Sequence, residues 1–394
     1  MGNREEKRNL ETIPAGALGI IALESCRTLG EKIDRYLVKW RAERQSEHKS
    51  TLAFLGYQRP SYLLDTKIPR FGTGEAKGVI LESVRGHDLY LLVDVCNYSL
   101  TYSLCGHENH MSPDDHYQDL KRIIAAVGGK ARRITVIMPF LYESRQHKRT
   151  SRESLDCALA LQELAQMGVD NIITFDAHDP RVQNAIPLYG FETVQPAYQF
   201  IKGLLRNVKN LKLDSDHMMV ISPDEGGMSR AIYIANVLGL DVGMFYKRRD
   251  YTTVVNGRNP IIAHEFLGTS VEDKDMIIID DMISSGDSIL EVATALKKRK
   301  ARKIFVFATF GLFTGGLEGF DKAYEEGIID KILTTNLIYQ TPELLNREWY
   351  INCDMSKYIA YIIDTLNHDS SISDLLNPNE RIQNVVAKYK KGKL

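Results

Sequence analysis

The sequence predicts an α/β protein made of two similar units, each a mainly parallel sheet flanked by helices. Short apolar runs of strand length alternate with segments of helical periodicity along the chain. This alternation is typical of parallel sheets, because the helix that connects two parallel strands packs on a face of the sheet. With 394 residues, 44% of them hydrophobic, the chain is long enough for roughly two to three domains with cores of their own.

The first unit is predicted from apolar strands and the helices between them. Its strands fall at 19–23, 88–95, 134–138 and 171–175, and its helices at 26–40 and 154–167. Residues 41–69 interrupt the alternation with a charged stretch and then a tyrosine-rich one, so we interpret them as an insertion. Residues 97–116 are a second polar and aromatic stretch, and the pattern leaves their role open.

The second unit repeats the same alternation. Its strands are predicted at 218–221, 242–246, 276–279 and 303–307, with helices at 228–238 and 288–298. The units meet near residues 195–203, so we place the first domain at 1–197 and the second at 198–356.

The composition favours a cytoplasmic enzyme with neither a nucleic acid nor a membrane as partner. Lysine and arginine number 50 against 51 acidic residues, so no charge excess indicates a polyanionic partner. No apolar stretch approaches the ~20 residues that a membrane span needs, and residues 1–10 are charged rather than signal-like. The five cysteines are scattered and odd in number, so no disulfide framework is expected.

Residues 276–288 are the most informative stretch of the chain. Three consecutive isoleucines end a predicted buried strand, and Asp280 and Asp281 follow them. A short loop and a helical pattern come next, and the loop residues are Ser284, Ser285, Gly286, Asp287 and Ser288. N–H groups at a helix N-terminus bind phosphate, and carboxylates accept hydrogen bonds from vicinal hydroxyls. The pattern therefore indicates a ribose-phosphate site, against the simpler interpretation of a buried strand before a capped helix.

This stretch resembles the phosphoribosyl pyrophosphate (PRPP) binding signature of type I phosphoribosyltransferases and of ribose-phosphate pyrophosphokinases. Five further stretches resemble the latter family, from near Gly19 to near Leu376. The resemblance implies two tandem phosphoribosyltransferase-like units, with residues 357–394 packing back on the first. It also implies that the loop holds the 5-phosphate of ribose 5-phosphate and that the two aspartates hold its ribose.

Two of the five stretches imply contacts with ATP. In the glycine-containing turn at 70–75, Phe71 and Glu75 correspond to residues that reach the adenine of a neighbouring subunit's ATP. After the strand at 134–138, Arg145 and Gln146 correspond to further ATP-binding residues. An arginine fork suits phosphate, and a glutamine amide suits the base or ribose. Without the resemblance, these stretches are typical of a turn and a surface loop.

Two more stretches imply ligands for the magnesium that ATP carries. His178 ends Asp176-Ala177-His178, and Asp224 lies in Ser-Pro-Asp-Glu-Gly-Gly at 222–227. Each stretch follows a predicted strand, where open α/β sheets bind ligands. Residue chemistry alone favours a core or capping role for His178, because Mg2+ prefers oxygen ligands.

The last stretch, 245–249, resembles the start of the family's catalytic loop. It implies that Lys247 and Arg249 stabilise the transferring phosphoryl groups. Three cations in a row are otherwise typical of a solvated face.

The chain departs from the family pattern in the predicted sites. Ser284 and Asp287 replace residues of the usual Asp-Thr-Gly-Gly-Thr, and Thr73 stands where the family has aspartate. A carboxylate such as that of Asp287 weakens phosphate binding when it lies close. These departures leave open a diphosphokinase that acts on a different ribosyl phosphate.

Taken together, the resemblance implies an enzyme with Mg2+ as cofactor that transfers the diphosphoryl group of ATP to the 1-hydroxyl of ribose 5-phosphate. A non-catalytic regulatory homologue is a second possibility, which the retained Lys247, Arg249, His178 and Asp224 disfavour. A transferase that consumes PRPP is a third, which would explain neither the stretch at 139–146 nor two full units. The family's shared ATP site also implies a homo-oligomer, at least a dimer, and hexamers built from dimers are usual in the family.

Overall fold

The computed structural model describes residues 12–45, 56–249 and 261–394, and these form two compact units. The first contains the chain up to Gln195, together with Leu337–Tyr339 and Met355–Asn377. The second contains Pro196–Asn336, Gln340–Asp354 and Pro378–Leu394. Within the described residues, no helix has both the length and the apolar composition that crossing a bilayer requires.

The first unit is built on a five-stranded sheet whose pairs are all parallel. Its strands lie in chain order, β1-β4-β7-β8-β9. The strands of the unit are β1 (Ala17–Ala22), β2 (Thr66–Lys67), β3 (Val79–Ile80), β4 (His87–Leu92), β5 (Thr101–Leu104), β6 (His107–His110), β7 (Arg133–Ile137), β8 (Asn171–Phe175) and β9 (Gly190–Val194). Its helices before Gln195 are α1 (Arg27–Gln45), α2 (Pro113–Val127) and α3 (Asp156–Gln166).

The second unit is built on a seven-stranded sheet with the order β12-β11-β10-β13-β14-β15-β16. Only the β11–β12 pair in it is antiparallel. Its strands are β10 (Met218–Ser222), β11 (Asp241–Arg249), β12 (Ile261–Leu267), β13 (Asp275–Ile283), β14 (Ile304–Gly311), β15 (Lys331–Thr335) and β16 (Tyr350–Cys353). Its helices before Asp354 are α4 (Ala197–Asn207), α5 (Met228–Leu238), α6 (Asp287–Lys298), α7 (Glu318–Glu325) and α8 (Pro342–Leu345). The predicted fold class of two mainly parallel, helix-covered sheets is confirmed.

The carboxyl-terminal helices divide between the units, which corrects the prediction that 357–394 as a whole pack on the first. Helices α9 (Ser356–Asn367) and α10 (Ser373–Leu376) belong to the first unit, and α9 packs on α1. Helix α11 (Asn379–Lys390) packs instead on α4 and α5. It does so because its apolar face, with Ile382 and Val385, is buried in the second unit's core.

Buried polar groups hold α9 to the first unit. Asp364 accepts hydrogen bonds from Arg41 Nε (3.3 Å) and Arg44 Nη2 (2.6 Å) on α1. Asn367, one turn further along α9, accepts from Arg41 Nη2 (2.6 Å) and donates to Asp88 of β4 (2.8 Å). Buried charges need such partners, because an unpaired charge in a protein interior is very costly.

The segment interpreted as an insertion, 41–69, belongs to the fold at both ends. Its start continues α1, where Arg41 is only 1% exposed and its guanidinium lies 5.0 Å from the ring centroid of Tyr62. Its end pairs with β1, since the Ile20 N–H donates to Tyr62 O and the Leu64 N–H donates to Ile20 O, both at 2.8 Å. Residues 46–55 lie outside the described residues.

Candidate active site

The strand order of the second unit reverses between β10 and β13. From β10 the chain moves outward to β11, whereas β13 starts the run that leads to β16 on the other side. Two loops therefore diverge at the carboxyl ends of β10 and β13 and leave a crevice, which is where open α/β sheets bind ligands. Of the predicted residues, Asp224 follows β10, and Asp280–Ser288 span the end of β13 and the loop after it.

Strand β13 is longer than predicted and includes both aspartates. It continues to Ile283, with Asp280 paired to Ala308 and Ile283 paired to Gly311 of β14. The predicted end of the strand at Ile279 was wrong, because parallel backbone pairing with β14 outweighs the low strand propensity of aspartate. The two carboxylates are thus held on a rigid strand, and Asp281 is only 4% exposed.

The electrostatics of this pair favour a hydroxyl-rich or cationic ligand. The Asp281 N–H donates to Asp280 Oδ1 (2.8 Å), and Arg230 Nη2 on α5 lies 3.9 Å from Asp281 Oδ2. Burial, together with the charges of Asp281 and Asp224, raises the pKa of Asp280 well above its usual range. A ligand that donates hydrogen bonds to the pair offsets this repulsion.

The loop that follows β13 has the backbone shape of an anion site. Gly286 adopts φ 100°, and a Cβ there would lie 2.3 Å from the Phe320 ring, so the position requires glycine. Helix α6 begins at the next residue, Asp287, and its first N–H groups have no acceptor within the helix. The Thr314 N–H donates to Ser284 O (2.9 Å) and ties the loop to the segment after β14.

The unusual acid of this loop has a partner within the loop. The hydroxyl of Ser285 donates to Asp287 Oδ2 at 2.8 Å. Both side chains are exposed, and this bond holds the Asp287 carboxylate toward Ser285. The single hydroxyl hydrogen of Ser285 is therefore donated to the carboxylate that the sequence departure introduced.

Asp224 is fixed at the end of β10 by its own turn. Its Oδ1 accepts the Gly227 N–H (3.1 Å), and its carbonyl accepts the Ser222 hydroxyl (2.6 Å). A Cβ at Gly227 would lie 2.8 Å from Ser222 Oγ, so glycine is needed for this close approach. The charge of Asp224 acts on Asp280, so the second unit brings these predicted residues together.

Lys247 and Arg249 lie at the carboxyl end of β11, where the backbone pairs with β12. Lys247 is opposite His264, and Arg249 is opposite Ile261 across a bulge. The side chains of these residues, and residues 250–260 that follow, lie outside the described part of the structure.

In the first unit, Arg145 and Gln146 lie on the loop after β7. Glu143 adopts φ 56°, a left-handed conformation that redirects the chain there. The Gln146 amide nitrogen donates to Ser154 O (2.7 Å), so this part of the side chain closes its own loop. Arg145 is exposed and Gln146 is half-buried.

His178 follows β8 and lies beside a second imidazole that the prediction did not include. The ring of His147, which directly follows Gln146, is 5.3 Å from that of His178 between centroids. His147 Nε2 is 3.5 Å from Asp179 Oδ2, and its buried Nδ1 has no hydrogen-bond partner. Hydrogen bonds from Arg181 lower the pKa of Asp179 to about 2. The first unit thus brings the loop at 145–147 to His178.

Phe71 and Glu75 lie on a tight turn of the first unit. The Phe71 N–H donates to Glu75 O (2.7 Å), and the Gly74 N–H donates to Phe71 O (2.9 Å). Phe71 is 54% exposed, unusual for a phenylalanine, and the hydroxyl of Thr73 donates to Glu75 Oε2 (2.9 Å).

The first unit has its own carboxylate at the end of β4, and it serves the fold. Asp94 is 2% exposed and accepts the N–H groups of Cys96 (2.8 Å) and Tyr339 (2.6 Å). Burial raises its pKa to about 7, although these N–H donors oppose the shift.

The donor set fits magnesium that arrives with a substrate. Among residues 12–45, 56–249 and 261–394, no group of three His, Cys, Asp or Glu side chains is arranged as a metal site. Mg2+ commonly keeps several waters and takes one or two protein carboxylates plus substrate phosphates. The carboxylate of Asp224 is an oxygen donor of the kind that Mg2+ takes, whereas the neighbouring imidazoles of His147 and His178 are less usual donors for this ion.

The geometry of the second unit defines a class of protein. Paired carboxylates and a glycine-dependent loop before a helix lie at the reversal of a parallel sheet, which is the arrangement of a type I phosphoribosyltransferase-like fold. Comparison with known protein families then identifies the family within this class. Residues 18–168 match the N-terminal domain of ribose phosphate pyrophosphokinase, and residues 255–377 match the phosphoribosyl synthetase-associated domain. The chain belongs to the ribose-phosphate pyrophosphokinase family.

Individual relatives agree with this assignment. The ribose-phosphate pyrophosphokinase of Vibrio parahaemolyticus is 29% identical over 318 residues, which cover 79% of this chain and 91% of the relative. That of Pasteurella multocida is 29% identical over 315 residues, covering 78% and 90%. The crystal structure of phosphoribosylpyrophosphate synthetase from Mycobacterium smegmatis shares the fold, with a TM-score of 0.69 at 21% identity over 90% of this chain and 99% of that one.

Sequence reasoning missed three features of these sites. Arg230 lay within a helical pattern that carried no signal of its nearness to Asp281. His147 directly follows Gln146, so its position beside a predicted ligand was the available signal. Strands β5 and β6 fall in the polar stretch at 97–116, whose alternation is too short and too polar to predict a hairpin.

Proposed function

We propose that this protein transfers the diphosphoryl group of ATP to the 1-hydroxyl of ribose 5-phosphate, giving PRPP and AMP. The observation that carries the proposal is the crevice of the second unit, where the carboxylates of β13 precede a glycine-dependent helix N-terminus. Membership of the ribose-phosphate pyrophosphokinase family supports the reaction.

Ribose 5-phosphate is the ligand whose parts match this crevice. Asp280 and Asp281 accept hydrogen bonds from its vicinal hydroxyls, which offsets the repulsion between the two carboxylates. The N–H groups of the loop and of α6, with the hydroxyls of Ser284 and Ser288, hold the 5-phosphate, and the hydroxyl of Ser285 joins them when it turns from Asp287 to the phosphate. The loop thereby fixes one end of the sugar and leaves the 1-hydroxyl for reaction.

The transfer itself needs positioning and charge more than a covalent intermediate. The 1-hydroxyl attacks the β-phosphorus in line, the bond from that phosphorus to the α-phosphate oxygen breaks, and AMP leaves. Lys247 and Arg249, at the end of β11, stabilise the negative charge that develops on the phosphoryl oxygens. Mg2+, when bound, neutralises phosphate charge, and Asp224 and His178 are the residues we assign to hold it.

Nucleotide binding falls to the first unit. Arg145 pairs with the phosphates, Gln146 binds the base or ribose, and the exposed ring of Phe71 stacks on adenine, with Glu75 as its polar neighbour. An exposed aromatic ring on a turn suits a contact made across subunits, so we propose a homo-oligomer that is built from dimers, either a single dimer or a hexamer. We also propose a cytoplasmic location, where ATP is supplied.

The reaction is tested by following AMP release from ATP with and without ribose 5-phosphate. We expect acceptor-dependent AMP and equimolar PRPP from the wild type, and a loss of at least about a hundredfold in kcat for Lys247→Ala. Lys322→Ala on α7, whose exposed side chain pairs with Glu326, is the matched control and should retain full turnover. Full turnover by Lys247→Ala would contradict the mechanism.

A different ribosyl phosphate acceptor is the second candidate, because the carboxylate of Asp287 lies in the anion loop. Parallel kinetics with several ribosyl phosphates distinguish the two candidates. A kcat/KM higher for another acceptor than for ribose 5-phosphate would replace the main proposal with this one.

A further inference from the structure

The hairpin of β5 and β6 packs closely on the turn at 70–75. The two strands pair from Thr101–His110 to Leu104–His107. The Met111 N–H donates to Leu100 O (2.9 Å) and closes the base of the hairpin. Its tip at Cys105 reaches the turn that carries Phe71.

The backbone of the hairpin is joined directly to the turn. The Cys105 N–H donates to Gly72 O at 2.8 Å. Gly74 adopts φ 87°, and a Cβ there would lie 2.8 Å from Leu104 Cδ1. The turn and the hairpin are therefore complementary in shape, and the left-handed conformation of Gly74 permits the contact.

Arg70 links the turn, the hairpin and α2. Its guanidinium lies 4.3 Å from the ring centroid of Tyr102 and donates to Gly74 O (3.2 Å) and Asp119 Oδ2 (2.9 Å). Its side chain is only 11% exposed. The Tyr102 hydroxyl in turn donates to Asp115 of α2 (3.3 Å). A planar guanidinium makes the stacking and the hydrogen bonds at once, which a lysine does not.

We propose that the β5–β6 hairpin is a brace that fixes the turn at 70–75 in its binding conformation, with Arg70 as the positioning residue. The inference rests on the proposed function for its ligand, the adenine base of ATP held by Phe71. Because the turn is ordered before the nucleotide arrives, binding does not have to order it. The brace therefore acts on nucleotide affinity and leaves the phosphoryl-transfer step unchanged.

The experiment measures the turn itself as well as the reaction. Hydrogen exchange of the full-length protein without nucleotide reports the amides of Phe71, Gly74 and Cys105, whose bonds define the turn and its contact. We expect Arg70→Ala to exchange at least about tenfold faster there than the wild type, and Arg70→Lys to be intermediate. In kinetics, KM for ATP should rise about tenfold, whereas kcat and KM for ribose 5-phosphate stay within about twofold.

Arg122→Ala is the matched control. Arg122 donates to the other oxygen of the same Asp119 carboxylate, at 2.6 Å, so the variant removes an equal charge without touching the guanidinium over Tyr102. It should leave both the exchange and KM for ATP unchanged. If Arg70→Ala loses its circular dichroism signal, Tyr102→Leu replaces it, because it removes only the ring beneath the guanidinium.

Three outcomes overturn the inference: unchanged exchange in the turn, equal effects of the Arg70 and Arg122 variants, or faster exchange with an unchanged KM for ATP. Failure of the proposed function has a different signature. In that case the wild type releases no acceptor-dependent AMP, while the exchange measurement still decides whether the hairpin orders the turn.

Discussion

The two units share one sheet plan and use its two ends differently. Strands β1, β4, β7, β8 and β9 lie in the same order as β10, β13, β14, β15 and β16, and the second unit adds β11 and β12 at its outer edge. The registers agree as well, since Leu18 pairs with Asp88 in the first sheet as Met218 pairs with Asp275 in the second.

At the amino ends of the strands, both units carry the same structural device. Asp88 accepts two hydrogen bonds from Arg133, each at 2.8 Å. Asp275 accepts two from Arg302, at 2.8 and 2.7 Å. Both aspartates are fully buried. This end of each sheet serves stability, because a bidentate pair satisfies a carboxylate that the fold removes from water.

Towards the carboxyl ends of the strands, an aspartate lies at the equivalent position of each unit, but its surroundings differ. Asp94 and Asp281 lie equally far beyond Asp88 and Asp275. Backbone N–H groups occupy both oxygens of Asp94, whereas Asp281 lies at the reversal of strand order beside a second carboxylate. Asp94 is therefore held by the backbone of its own unit, whereas the place of Asp281 at the reversal of strand order is why we propose it, and not Asp94, as a ligand-binding group.

The largest expected effect concerns how the two carboxyl-terminal helices are held to their units. Buried ion pairs of Asp364 help to hold α9, whereas apolar side chains hold α11. Asp364→Ala should lower the free energy of unfolding by about 3–5 kcal/mol, since buried Arg41 loses its counter-charge. Asp369→Asn is the control, because it removes the charge of this 61% exposed partner of Arg133, keeps a residue that tolerates the φ of 47° at this position, and should cost less than about 1 kcal/mol. Urea titration followed by circular dichroism measures both, and equal losses would contradict the role of the buried pair.

The next prediction concerns the pH dependence of stability and tests whether buried Asp94 keeps its proton in the folded protein. Burial raises its pKa to about 7 from the ordinary 3.8, so the folded protein keeps a proton that the unfolded chain releases. Its contribution to stability is therefore fully present below about pH 4, falls as the pH rises, and is lost above about pH 7. The difference approaches about 4 kcal/mol at 1.36 kcal/mol per pKa unit.

Urea unfolding at pH 5 and pH 8 measures this contribution. Asp94→Asn should show a smaller loss of stability between the two pH values than the wild type, because an amide does not titrate. Identical pH dependence in the two proteins would show that Asp94 does not hold the proton.

A third prediction compares the two strand ends directly in catalysis. Asp281→Asn should lower kcat/KM for ribose 5-phosphate about a hundredfold, because a charged acceptor for a ribose hydroxyl is lost. Asp94→Asn, the equivalent change in the first unit, should stay within about threefold at pH 7. Steady-state kinetics on the two folded variants decide the matter, and a similar loss in both would remove the distinction between the two aspartates.

The smallest effect sharpens the description of the anion loop. Asp287→Asn removes a negative charge near the proposed phosphate position while keeping an acceptor for the Ser285 hydroxyl. KM for ribose 5-phosphate should fall about threefold, as expected for one exposed charge in a high dielectric. A rise in KM would mean that the carboxylate assists binding.

The sequence predicted those parts of the fold whose signals are local. The run of isoleucines before Asp280 and the glycine-containing loop after it were sufficient to predict a strand, a loop and a helix in this order. The end of β13 was missed because pairing with β14, which is distant in sequence, extends the strand through two aspartates. The burial of Arg41 was missed for the same reason, since its partner Asp364 lies at the other end of the chain.

The prediction that residues 357–394 pack on the first unit was wrong beyond Asn377, where the chain passes to the second unit. Residues 357–394 read as one tail, yet α9 and α11 bury against different cores. Helix α9 is buried over most of its length and includes buried polar groups such as Asp364 and Asn367, whereas α11 buries a narrow apolar stripe that contains Ile382, Val385 and Val386. Residue pattern alone does not reveal which core a helix meets.

The division of the chain at α9 has a consequence for biosynthesis. The first sheet is translated before any of the second, but the helix that neutralises Arg41 and contacts Asp88 leaves the ribosome only after β16. Until α9 is synthesised, the core of the amino-terminal half is incomplete and part of its buried surface is exposed. Such an intermediate is prone to aggregation and is a typical substrate of chaperones. A gene fragment that ends at Gln195 should therefore express as an aggregation-prone product, whereas appending α9 through a linker should recover it.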